Sequence, residues 1–232
     1  MKREEAVLRE LNLYPVWQKR EPAPAQQVSL PPAATPGAMQ PDAALPSTLD
    51  WGALKARVKE CQACALRAGC KQTVFGVGDE KARWLFVGEG PGAEEDAQGL
   101  PFVGQAGQLL DKMLAAIGLQ RGNDTYIANI VKCRPPGNRT PEAAEMRTCL
   151  PYLQQQIALI QPKIIVALGK TAATALLGKE ATLASLRGRL HDYGGIPLVI
   201  TYHPAYLLRS PQEKSKAWQD LRLAVQTMQA QG

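Results

Sequence analysis

Four short, almost unbroken apolar runs, over residues 84–88, 126–131, 164–168 and 198–202, constrain the fold of this chain more than any other feature. A strand made of apolar residues alone must be covered on both faces, and parallel strands joined by crossover helices achieve that cover. Helical spacing of apolar residues fills the intervals, over 51–61, 107–117, 141–160, 171–177 and 212–228. The alternation predicts an α/β fold: a three-layer αβα sandwich around a central, mainly parallel four-stranded sheet. Ligands of such sheets bind beyond the carboxyl ends of the strands. That rule gathers Gly88, Glu89, Asn129 and His203 on one rim.

The first 49 residues have another character. Residues 1–20 carry a short helical pattern, with Val7, Leu8 and Leu11 on one side of charged residues, and it stops near Pro15. This suits a docking peptide for a replication or repair protein, and it suits equally a solvated helix packed on its own domain. From residue 22 to 49 there are seven prolines, many alanines and one charged residue, Asp42. Such a composition cannot bury enough apolar surface to fold alone. It predicts a flexible linker over 21–49, ahead of a single domain over 50–232. The net charge of +6 favours an anionic partner without choosing among nucleic acid, acidic protein and lipid. No run approaches the roughly 18 apolar residues of a membrane span, and residues 1–10 are too charged for a signal peptide. A cytoplasmic, monomeric protein with no membrane partner is expected.

In a reducing compartment, five cysteines point to metal ligands or free thiols before disulfides. Cys61 and Cys64 form a C-x2-C pair, whereas Cys133 and Cys149 lie far downstream with fifteen residues between them. Four thiolates can hold a zinc ion or an iron–sulfur cluster. Only one tight pair is present, which favours the cluster over the two knuckles of a zinc ribbon. Cys70, in a polar stretch, is expected to be a free thiol.

After the first apolar run, the glycine-rich turn over 88–92 fails the G-x-G-x-x-G spacing, and Glu94, Glu95 and Asp96 beside it would repel a phosphate. A turn that brings backbone close to a neutral ring fits better. The stretches GEGPGAEEDAQGLPFVGQAGQLL, NIVKCRPPGNRTP and TYHPAYLLR, in this order and with the four-cysteine spacing, resemble the iron–sulfur, thermostable-type uracil-DNA glycosylases, family 4 of the uracil glycosylase superfamily. The resemblance runs from about Trp51 to the C-terminus.

It implies a monofunctional enzyme that flips deoxyuridine out of DNA and hydrolyses its glycosidic bond. Cys61, Cys64, Cys133 and Cys149 would ligate a 4Fe-4S cluster, and Glu89, Phe102, Asn129 and His203 would line the uracil pocket. Each role has chemical sense. Phe102 would stack on the everted ring. The Asn129 amide matches the N3 hydrogen and O4 of uracil, where cytosine presents the opposite pattern. His203 would donate to O2 as negative charge gathers on the departing base. A carboxylate should steady the oxocarbenium-like sugar and position water, with Glu89 the first choice and Glu95 the second. Here the chain departs from the best-studied uracil glycosylases, which have Asp at the place of Gly90 and Tyr at that of Gly92. Residues 202–209 would form a loop that enters the DNA, with Leu207 or Leu208 filling the space left by the flipped base and Arg209 meeting phosphate. Arg187, Arg189, Lys214 and Lys216 suit further backbone contacts or solvated surface equally. A related branch that is trapped covalently on DNA uses a histidine in an inserted basic loop, whereas here the stretch directly after Cys133 reads RPPGNRTP and holds no histidine. A non-catalytic DNA-binding or polymerase-associated module on the same fold is the alternative reading, and an electron-transfer protein a third.

Overall fold

The computed structural model describes residues 49–231. The N-terminal helical pattern and the linker, apart from Leu49, lie outside the described residues. Six strands form one sheet: β1 (Val77–Gly78), β2 (Trp84–Gly88), β3 (Thr125–Asn129), β4 (Ile164–Leu168), β5 (Leu190–Tyr193) and β6 (Ile196–Thr201), in the order β1-β3-β2-β4-β6-β5. The middle four are parallel. Every residue of β2, β3 and β4 is buried, as their apolar runs require.

The expected four-stranded sheet is therefore the parallel centre of a mixed, six-stranded one. Both additional strands are antiparallel edges. β1 is two residues long, and at Gly78, φ 140°, a Cβ would fall 2.1 Å from the Thr125 carbonyl oxygen. β5 turns into β6 through Gly194 and Gly195, both at positive φ (58° and 88°), the pattern of a two-residue hairpin turn. Its outer residues stay wet, with Leu190 49% exposed, so β5 lacks the continuous apolar signature of the centre.

Nine helices are present among the described residues: α1 (Trp51–Glu60), α2 (Leu66–Gly69), α3 (Ala93–Gln98), α4 (Gln105–Ala116), α5 (Ala143–Ile160), α6 (Lys170–Leu177), α7 (Leu183–Leu186), α8 (Pro204–Arg209) and α9 (Lys214–Gln229). Residues alternate between the two faces of the sheet with the strand period. Leu85, Val87, Ile165, Ala167, Leu198 and Ile200 pack with Leu54 and Val58 of α1, Leu153 and Ile157 of α5, and Ala172 and Ala173 of α6. Trp84, Phe86, Ile164, Val166, Leu168 and Val199 pack on the other side with Leu110 and Leu114 of α4 and Ala224 of α9. The αβα sandwich is thus realised by two separate apolar layers. No helix among the described residues is long and apolar enough to cross a membrane.

Local chemistry sets the helix starts. Asp50 accepts from the Ala53 amide at 2.7 Å and opens α1. Glu145 accepts from the Glu142 amide at 2.7 Å and takes a forked pair of bonds from Arg139, at 2.7 and 2.8 Å, which opens α5. The segment 204–209, expected as loop, is the helix α8, with Pro204 in its first turn.

α9 is fastened by a buried ion pair. Asp220 is fully buried and accepts from Nε and Nη2 of Arg187, both at 3.0 Å, and from the Gly188 amide at 3.1 Å. Removing one partner of such a pair leaves an uncompensated buried charge. Arg187→Ala is therefore expected to destabilise the domain by about 3–5 kcal/mol, measured by chemical denaturation. A loss below about 1 kcal/mol would mean that the pair behaves like an exposed one.

Candidate active site

Because β2, β3, β4 and β6 are parallel, their carboxyl ends meet on one rim, where Gly88 lies opposite Asn129 and Leu168 opposite Thr201. The chain order reverses around β2, with β3 on one side and β4 on the other, and open α/β sheets hold their ligands at such a crevice. A cavity of about 490 Å³ opens there. Glu89, Glu95, Phe102, Asn129, His203 and Arg209 all line it, so the rim collects six residues singled out in the sequence. Leu207 and Leu208 are not among its walls.

Asn129 closes β3 and is buried. Its side-chain Oδ1 is shut away from water and accepts no hydrogen bond from the described residues. A buried acceptor left this way costs about 1–3 kcal/mol, so the atom calls for a donor on a ligand. It rests against Gly88, where a Cβ would stand 2.5 Å from this Oδ1 and 2.5 Å from Cζ of Phe102. The absent side chain of Gly88 is what lets amide and ring share one corner.

Phe102 sits at φ 55°, left-handed for a residue with a side chain, a conformation costing roughly 1–2 kcal/mol. Its loop is held by Glu95, whose Oε1 accepts from the amides of Val103 (2.9 Å) and Gly104 (3.1 Å) and whose Oε2 accepts from Gly92 (3.1 Å). Glu95 faces the cavity, yet both of its oxygens are committed to backbone. Glu89 keeps more freedom. One of its oxygens, Oε2, accepts from the hydroxyl of Thr171, at the start of α6.

His203 is the residue before α8, and its ring lies 5.5 Å from that of Phe102, tilted by 30°. Its Nδ1 accepts from the Ala205 amide at 3.2 Å. In the neutral ring the proton is then on Nε2. Burial pushes its pKa down to about 4, with the positive charge of Arg209 acting in the same direction and Glu95 opposing. The imidazole is neutral at ordinary pH and offers one N–H donor.

On α8, Leu207 is 1% exposed and packs with Met113, Ala217 and Leu221, whereas Leu208 is 42% exposed. Adjacent leucines carry no sign of which one a helix will turn outward, and the structure separates them. Tyr206 also lines the cavity and stacks on Tyr202, with ring centroids 5.1 Å apart. The sequence reading passed over Tyr206 and Thr171. Thr171 had a signal, since it follows a strand end by the same rule that picks out Glu89, Asn129 and His203.

Residues 75–222 match the sequence profile of the uracil DNA glycosylase superfamily. A type-4 uracil-DNA glycosylase of Thermotoga maritima is 48% identical over 156 residues, covering 66% of this chain and 81% of that protein. The type-4 uracil-DNA glycosylase of Pyrobaculum aerophilum is 44% identical over 183 residues (75% and 93%), and that of Archaeoglobus fulgidus 40% over 173 (71% and 86%). The chain belongs to the uracil DNA glycosylase superfamily and, within it, to the type-4 uracil-DNA glycosylases.

Away from the cavity, Cys61, Cys64, Cys133 and Cys149 border one small buried space, together with Lys132 and Tyr152. Burial pushes the Cys149 thiol up to about 11, against the opposing charge of Lys132 and its amide, which lies 3.2 Å from Cys149 Sγ. Cys70, expected in a polar stretch, is buried too, with Arg67 Nη1 at 3.7 Å from its sulfur. Among the described residues no group of three or more His, Cys, Asp and Glu is arranged to hold a single metal ion.

The depressed His203 pKa predicts a pH dependence of stability. Unfolded, the ring binds a proton below its ordinary value of 6.5; folded, only below about 4. Its contribution is therefore intact above pH 6.5, declines as pH falls between the two values, and levels off below the lower one. The whole decline amounts to roughly 3 kcal/mol. Denaturation midpoints recorded from pH 7 to 5 are expected to fall more steeply for the native chain than for His203→Gln. Equal slopes would show that the ring titrates normally.

Proposed function

We propose that this chain excises uracil from DNA, releasing the free base and leaving an abasic site. The observation that carries this reading is the buried, unpartnered Oδ1 of Asn129 beside an aromatic platform and a neutral imidazole donor. Uracil supplies what that corner lacks: its N3–H donates to Oδ1, and its O4 accepts from the amide nitrogen. Cytosine has an unprotonated N3 and an amino group, so it would set acceptor against acceptor. Such an edge can be read only on a base taken out of the helix. Phe102 would stack on it, a contact worth about 1–3 kcal/mol.

As the bond between N1 and C1′ lengthens, negative charge spreads onto O2 of the base and positive charge onto the sugar. Nε2–H of His203 would donate to O2, a role worth roughly 2.7–4 kcal/mol in comparable oxyanion sites. Neutrality suits this role: the proton is shared and retained, so the base departs as an anion. Glu89 is the better carboxylate for positioning water. Glu95 has both oxygens on backbone amides, and we assign it the bracing of the pocket loop. Among the described residues no lysine lines the cavity, which favours hydrolysis without strand incision. Arg209 suits a DNA phosphate, and of the two leucines Leu208 is the one exposed for insertion into the duplex.

The four bordering cysteines suit an iron–sulfur cluster. Four thiolates can hold a zinc ion or a cluster, and a single tight C-x2-C pair, with the other two cysteines brought in from distant elements, suits the cluster. The charge balance agrees: Lys132 is buried beside Cys149, and its ammonium donates only to neutral acceptors, the Asn129 carbonyl at 2.9 Å and Gln156 Oε1 at 2.6 Å. An ammonium so placed favours an anionic thiolate set next to it. Bound there by Cys61, Cys64, Cys133 and Cys149, a 4Fe-4S cluster would supply covalent ties between distant segments.

The test is a uracil-containing oligonucleotide mixed with the purified protein. Free uracil and alkali-labile sites are expected, with iron and acid-labile sulfide in equal amounts. Asn129→Ala and His203→Ala are expected to lower the rate about 100-fold or more. Gly88→Ala is expected to do the same and to cost about 1–3 kcal/mol of stability, because its Cβ would overlap the buried Asn129 amide and Phe102 ring. Binding of uracil-DNA by iron-loaded protein without base release would favour the non-catalytic module instead.

A further inference from the structure

Phe102 owes its position to more than its own loop. Its carbonyl points toward the start of α4, so close that a Cβ on Gly107 would lie 1.8 Å from the Phe102 oxygen. That oxygen also receives Nη2 of Arg121 at 2.8 Å, while Nη1 of the same guanidinium donates to the Pro101 carbonyl at 2.9 Å. Arg121 lies beyond α4 in the chain, and α4 supplies its counter-charge: Asp111 Oδ1 accepts from Nε at 2.9 Å and lies 2.8 Å from Nη2 as an ion pair. The turn bearing Arg121 is itself knotted to β3, since Thr125 Oγ1 donates to the Gln120 carbonyl (2.8 Å) and accepts from the Gly122 amide (3.1 Å).

We propose that Arg121 is a positioning residue for uracil recognition, holding the Phe102 ring in place by clamping two successive carbonyls from outside the pocket. The inference rests on the proposed reading of Phe102 as the stacking platform. Arg121 is not a wall of the rim cavity and opens, with Asp111, onto a separate surface cleft, so it acts through the backbone. The loop is held from both sides by opposite charges. Glu95 gathers amides on the pocket side, and Arg121 gathers carbonyls on the far side. Two carbonyls turned to one side repel each other, and a residue with a side chain at positive φ tends to revert to negative φ. Without the guanidinium the peptide after Phe102 is held only from the Glu95 side, and the ring is kept less firmly in the corner shared by Gly88 and Asn129.

The test compares full-length, iron-loaded protein with Arg121→Gln, Arg121→Lys and, as a control, Arg83→Gln, which removes a separate exposed pair with Asp124. Three quantities are measured: inhibition by free uracil, the single-turnover excision rate, and affinity for DNA carrying an abasic site. In Arg121→Gln, uracil affinity and excision rate are each expected to fall about fivefold or more, as partial loss of stacking requires. Affinity for abasic DNA, which offers no base to stack, stays within twofold. A lysine reaches one carbonyl at a time, so Arg121→Lys falls between. Arg83→Gln matches the native chain. The proposal is overturned if Arg121→Gln keeps uracil affinity within twofold, or if abasic-DNA affinity drops in parallel, which marks a general structural role. A native chain that neither binds nor releases uracil would instead overturn the reading of the pocket itself.

Discussion

The parallel pairing of Gly88 with Asn129, with no side chain on the glycine, is the constraint from which the rim is built. The volume a Cβ would take is filled by the amide oxygen of Asn129 and the edge of Phe102. Pairing continues one step past the strands, since the Ile130 amide donates to the Gly88 carbonyl at 2.9 Å and the Val131 amide to that of Glu89 at 3.2 Å. The Glu89 backbone is thereby tied to the end of β3, while its side chain takes the Thr171 hydroxyl. The next glycines obey the same crowding. A Cβ on Gly90 would stand 2.7 Å from Val131 Cγ2, and one on Gly92 2.7 Å from Glu95 Oε2. A larger residue at either place would require the Val131 or the Glu95 side chain to shift.

Polar ties connect this rim to the cysteine-bearing segments. Asp96, buried in α3, accepts from the amides of Lys71 (2.8 Å) and Gln72 (3.4 Å), just past Cys70. On the other side, Lys132 joins the Asn129 carbonyl to Gln156 of α5, and Gln156 Nε2 donates onward to the Phe75 carbonyl at 3.0 Å. Asn129 is thus held at its backbone by Lys132, whose own amide lies 3.2 Å from Cys149 Sγ. A disturbance of the cysteine region has a short route of hydrogen bonds to the residue with the unpartnered acceptor.

The centre of the fold was legible because burial on both faces leaves one kind of signature, continuous apolar residues, and β2, β3 and β4 carry it. The edges were less so. β1 has two residues and β5 alternates between wet and half-buried positions, so neither produces an apolar run; the Gly194-Gly195 pair was the available hairpin signal. The rim residues could be named because strand ends locate them and the resemblance assigns them chemistry. What each oxygen or ring does was not legible. Glu95 as a brace, Leu207 turned inward and Arg121 behind the pocket depend on partners 8 to 19 residues away or on neighbouring elements. Periodicity carries no information about such partners.

The state of His203 shows how such local folding decides chemistry. A histidine in an open loop would present either ring nitrogen and titrate near neutrality. Here Pro204 begins a helix at once, which aims the Ala205 amide at Nδ1 and leaves the proton on Nε2. Gly169, at φ 93°, allows the backbone after β4 to pass so near that its Cβ would lie 3.0 Å from that of His203. Burial first, and then the nearby charge of Arg209, disfavour protonation of the ring. The tautomer follows from one short turn of chain, the start of α8, which leaves the imidazole a neutral donor lining the cavity.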